Sequence, residues 1–117
     1  MSHLRRAKCE LKSVRKDVAK IVFQELVKAY GGNLVEEQGG VIGVEWGTYA
    51  YMKIDPNTCE WLYDDYSMPV AFSEAKQRFM DVYVAKMMEG WLRAHGYNTN
   101  MMINVDRGQV VLGAIRY

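Results

Sequence analysis

Residues 47 to 66 read GTYAYMKIDPNTCEWLYDDY: two runs suited to extended strands, divided by a four-residue turn. Tyr49, Tyr51 and Lys53 share one face of the first run, because successive side chains of a strand point to opposite sides. Asp55-Pro56-Asn57-Thr58 is a turn with a mechanism, since Pro56 presets the backbone angle of its second position and Asp55 can accept bonds from amides further on. Cys59 to Asp65 then returns as a second strand, with Cys59, Trp61, Tyr63 and Asp65 on one side and Glu60, Leu62 and Asp64 on the other. A chain built around this unit must contain an antiparallel sheet.

The segments before it supply the rest of one sheet edge and a first helix. Residues 4 to 12 alternate loosely, with Ala7, Cys9 and Leu11 opposed to Arg6, Lys8, Glu10 and Lys12, the period of a half-buried strand. Ser13 stands where a helix cap belongs. From Val14 to Tyr30, Lys16, Lys20, Gln24 and Lys28 recur on one face while Val18, Ile21, Val22 and Leu26 lie near the opposite arc, and Gly31-Gly32 ends the helix. Asn33 to Gln38 and Val41 to Trp46 read as strands joined by a hairpin turn at Gly39-Gly40.

After a break at Ser67 to Val70, Ser73 opens a second helix reaching about His95. Met80, Tyr83, Val84, Met87, Met88, Trp91 and Leu92 give it a broad apolar face. Gly90 inside it costs about 1 kcal/mol relative to alanine and predicts a close approach of backbone to backbone. Tyr97 to Val105 and Gln109 to Tyr117, around Asp106-Arg107-Gly108, form a closing hairpin. The predicted fold is therefore α+β, a largely antiparallel sheet with two helices (residues 14 to 30 and 73 to 95) packed on one face, in the order β-α-β-β-β-β-α-β-β, as a single domain over residues 1–117.

Layout and wording together resemble the small family of hypothetical proteins known from chloroplast and cyanobacterial genomes as reading frame thirty-five, a domain of unknown function. The likeness lies in the opening Met1-Ser2-His3, Tyr83 inside the long helix, Gly96-Tyr97 just after it, and the last hairpin with its Asp106 to Gly108 turn. The segment from Gly47 to Tyr66 departs from the family. The resemblance implies a fold and carries over no catalytic or binding residue.

Charge is unevenly placed along a chain of net charge +1. Residues 1 to 30 hold eight bases against Glu10, Asp17 and Glu25, a net of +5, whereas residues 31 to 75 hold Lys53 alone against eight acids, a net of −7. Such polarity steers a charged partner or lets a basic element lie beside an acidic one within the fold. No run of apolar residues is long enough to span a bilayer, and no apolar segment follows the first basic residues, so the expectation is a soluble, cytoplasmic protein with no membrane partner. The two cysteines, Cys9 and Cys59, are expected to act as small hydrophobes rather than as a bridge.

No complete chemical constellation is present. His3 and His95 lack the paired spacing of a zinc site, neither cysteine belongs to a nucleophile motif, and the glycine pairs lack the lysine of a phosphate loop. No metal, no cofactor and no catalytic residue is expected. The sequence leaves three functions open: a non-catalytic interaction module forming a homodimer, with Tyr49, Tyr51, Lys53, Trp61 and Tyr63 as its partner-binding surface if the hairpin register brings them together; a nucleic-acid binder using Arg5, Arg6, Lys8, Lys12 and Arg15; and a small enzyme. Ordinary packing under a helix accounts for the same rings. Self-association through a sheet edge or the long helix follows from the excess of apolar residues in so short a chain.

Overall fold

The computed structural model describes residues 5–8 and 11–116. Met1 to Leu4, Cys9, Glu10 and Tyr117 lie outside the described residues, so the expectations placed on them, a Cys9–Cys59 bridge included, do too. Cys59 carries a free thiol.

The elements follow the expected order: β1 (Arg5–Lys8), α1 (Lys16–Tyr30), β2 (Asn33–Glu36), β3 (Ile42–Gly47), β4 (Ala50–Asp55), β5 (Glu60–Asp64), α2 (Phe72–Ala94), β6 (Tyr97–Asn104) and β7 (Gln109–Arg116). The class is α+β and every strand pair is antiparallel. The seven strands of the described residues fall into two sheets, a five-stranded sheet in the order β1-β5-β4-β3-β2 and a ribbon of β6 and β7. Length explains the division. At 23 residues α2 runs roughly 34 Å, whereas the five- and six-residue strands beneath it extend about 20 Å. The chain leaving α2 has passed beyond the first sheet, and it pairs with itself alongside the helix.

One face of the five-stranded sheet is covered. Ile42, Val44, Met52, Ile54 and Trp61 turn toward the helices and are buried, meeting Ala19, Val22, Phe23 and Leu26 of α1 and Phe72, Ala75, Phe79 and Val82 of α2. Trp61 is the hub. Its ring stands edge-on to Phe23 (6.2 Å between centroids), Phe72 (5.8 Å) and Phe79 (4.9 Å), the arrangement in which a positive ring edge meets a negative face. Buried residues of α2 stop at Ala85. Among the described residues no helix is long and apolar enough to cross a membrane.

Three local expectations change. α1 begins at Lys16 with Arg15 at its cap, and Ser13 makes no cap bond; Val14 is buried instead, and the Tyr83 hydroxyl accepts the Arg15 backbone N–H at 2.9 Å. The Gly39-Gly40 turn is a single turn of 3-10 helix, Gln38–Gly40, flanked by a bond from the Glu37 N–H to the Val41 carbonyl at 2.8 Å. Gly90 marks no close approach among the described residues, since a β carbon there would meet none of them within 4 Å.

Candidate functional site

The β4–β5 register decides the fate of the predicted aromatic surface. Asp55 pairs with Glu60, Lys53 with Leu62 and Tyr51 with Asp64, while Ile54 pairs with Trp61 and Met52 with Tyr63. Paired residues share a face. Asp55 sets this register as the turn chemistry requires, with its Oδ1 accepting the Asn57 N–H at 2.9 Å and its carbonyl accepting the Cys59 N–H at 2.8 Å.

The expected platform of Tyr49, Tyr51, Lys53, Trp61 and Tyr63 therefore does not form. Trp61 is 0% exposed in the core, and Tyr63 stacks on Phe72 at 3.6 Å between centroids. Tyr51 and Lys53 point to the opposite, uncovered face, where Lys53 sits 4.7 Å over the Tyr51 ring and pairs with Glu37 and with Glu45 (3.6 Å). Tyr49 lies exposed in the β3–β4 turn, edge-on to Tyr66. The alternation of the strand splits these rings between two sides.

It splits the carboxylates as well. Asp64 is 5% exposed and accepts the Tyr66 N–H at 3.1 Å, whereas Asp65 is exposed. Among the described residues no group of three His, Cys, Asp or Glu side chains is placed to hold a metal ion. His95 lies at the far end of α2, stacked on Trp91 with ring centroids 4.0 Å apart.

The basic set is scattered in a similar way. Arg5 faces the helices' side of β1 and Arg6 the open side, paired with Tyr63 and Leu62 respectively; Lys8 belongs to the same strand. Arg15 is held by Asp17, with Nη2 2.7 Å and Nε 3.2 Å from its carboxylate oxygens, and that bond keeps the Asp17 carboxyl below its usual range. Lys16 and Lys20 reach across to Glu36 of β2 at 3.3 and 3.0 Å, and Lys20 first, then Lys16, lowers the Glu36 carboxyl in turn. Much of the basic excess of α1 is thus answered by the acidic strand beside it.

Two surfaces carry more than the predicted ones. The first is a groove of about 490 Å³ between the Leu11–Arg15 segment and α2, with Tyr83, Val84, Met87, Met88 and Trp91 along the helix side. Val84, Met87, Met88 and Trp91 are all exposed, Trp91 by 60%. The second is a groove of about 420 Å³ between α2 and the ribbon, where Val84 and Met88 face Gly108, Val110 and Leu112. On the outer side of the ribbon Met102, Val111 and Ile115 are exposed. The seven-residue apolar face read from α2 held the signal for both. Of that stripe Tyr83 alone is buried, and the other core residues of α2 are Phe72, Ala75, Phe79, Val82 and Ala85, which the stripe does not include.

No family model matches the chain, and comparison with curated proteins and with solved structures finds no significant match.

Proposed function

We propose that the protein is a non-catalytic interaction module that pairs with a second copy of itself through the free edge of β7. The observation that carries this reading is the character of that edge. β7 is eight residues long, QVVLGAIR, with Arg116 as its one charge and no proline, and among the described residues β6 is its sole hydrogen-bonded neighbour. Long apolar edges of this kind invite pairing with another chain unless charge, proline or shortness blunts them. The edges of the five-stranded sheet are blunted. β1 and β2 have four residues each, RRAK and NLVE.

A two-stranded ribbon is marginal by itself. Antiparallel pairing of β7 with its copy across a two-fold axis makes a four-stranded sheet from one self-complementary patch. It also places apolar surface over the groove where Val84 and Met88 face Val110 and Leu112. Membership of the family that the sequence resembles is part of the proposal and adds no site to it.

Sedimentation equilibrium at micromolar concentration tests the reading. The wild-type chain is expected at dimer mass, and the pair of exposed substitutions Val111→Lys and Ile115→Lys is expected to leave a folded monomer. A wild-type chain that stays monomeric up to tens of micromolar refutes self-pairing.

A further inference from the structure

We infer that the groove between the Leu11–Arg15 segment and the C-terminal half of α2 receives an acidic, amphipathic helix of a partner protein. The inference rests on the protein's being an interaction module, and is independent of whether β7 pairs with a copy.

Charge selects the occupant. The groove continues past Trp91 into a neighbouring hollow bordered by Arg15, Val18, Lys86, Met87 and Gly90. Among the described residues the charged side chains on the walls of both are Lys12, Arg15 and Lys86. Arg15 pairs with Asp17 at 2.7 Å, and Lys86 shares Glu89 with Arg93 at 4.0 and 3.6 Å, so the bases here still outnumber the carboxylates that answer them. The floor is apolar and adaptable, because methionine side chains bend to fit a range of shapes, and Trp91 offers a large anchor of the kind that dominates binding energy at interfaces. An apolar floor walled by cations suits a helix with apolar residues on one face and carboxylates flanking them.

The geometry of α2 adds to this. Gly90 lies in the exposed half of the helix with open space where a side chain would be, so an incoming backbone can come close at that point. A second copy docked groove to groove is the poorer occupant, since it would bring the Lys12, Arg15 and Lys86 side chains of both copies together.

The test uses the full chain and two synthetic four-turn helices, each with leucine at i, i+3, i+4 and i+7, one filled with glutamate and the other with lysine. Fluorescence anisotropy of the labelled peptides is expected to show the glutamate peptide bound about tenfold more tightly than the lysine peptide at low salt. The preference should disappear in the Lys12→Glu, Lys86→Glu double variant. Binding should fall at least about tenfold in Trp91→Ala, whose exposed position spares the core and whose fold is verified by circular dichroism. Equal binding of the two peptides, or of neither, overturns the inference. So does tighter binding of oligothymidine, which would assign the stacked Trp91 and the bases to single-stranded nucleic acid, or a shift from dimer to monomer in the groove variants, which would make the groove a contact between copies. Loss of dimerisation in the β7 variant with peptide binding intact separates this site from the ribbon edge.

Discussion

Gly43 stands at the middle of β3, opposite Lys53, and has no room to be any other residue. A β carbon there would run into the Met52 carbonyl and the Lys53 backbone, with the Lys53 Cγ 2.8 Å away. The lysine stem thus lies across the glycine, which lets its ammonium settle among Glu37, Glu45 and the Tyr51 ring. Gly43→Ala is expected to destabilise the fold by about 1–3 kcal/mol, the range for forcing atoms into a packed site, read as a lower urea midpoint; an unchanged midpoint would show that the strands can part there at no cost. In the sequence Gly43 is one glycine inside an extended run, and nothing local distinguishes it. The reason it must be glycine is a residue ten positions away, reached only once β3 and β4 are in register. Tyr83 is similar: its place on the apolar face of α2 was legible, but its hydroxyl's bond to the Arg15 N–H depends on a contact across 68 positions.

Elements were the most legible level, because helix and strand periods are local. The expected second helix, 73 to 95, differs by one residue at each end from Phe72–Ala94. The first starts two residues late, because Val14 is drawn into the core where a cap would stand. The strand pattern also assigned each side chain of β5 to its correct face, but alternation alone says nothing of which face the helices cover. That is why Trp61 and Tyr63 were candidates for a surface they do not reach. Gly90 was read as a sign of close packing, and among the described residues nothing packs against it. Gly90→Ala is therefore expected to raise the stability of the isolated chain by up to about 1 kcal/mol, visible as a thermal midpoint a few degrees higher. A lower midpoint would reveal an intramolecular contact at that position.

At the scale of the molecule, the charge asymmetry of the sequence resolves inward as much as outward, since Lys16 and Lys20 of the basic N-terminal third meet Glu36 of the acidic middle. The division into a five-stranded sheet and a ribbon was not legible. It follows from the length of α2 relative to the strands beneath it, a comparison between elements that no single window of sequence contains. The molecule extends 55 Å along its longest axis against 29 and 21 Å across. Backbone amides of β3 and β4, buried under both helices, should exchange hydrogen slowly, and those facing out from β7 quickly. Raising the protein concentration should slow exchange along β7 alone. A rate there that does not respond to concentration would mean that the edge stays open to solvent.

The three tryptophans occupy three different surroundings: Trp61 is sealed in the core, Trp46 is half-buried with its indole N–H donated to the Tyr30 carbonyl at 3.1 Å, and Trp91 stands in water on α2. Iodide added to the solvent will quench the emission of the last far more than that of the first. The chain consequently brings its own optical reporter, located at the mouth of the cationic groove, and any molecule that settles there will announce itself by shielding one indole without the addition of a dye.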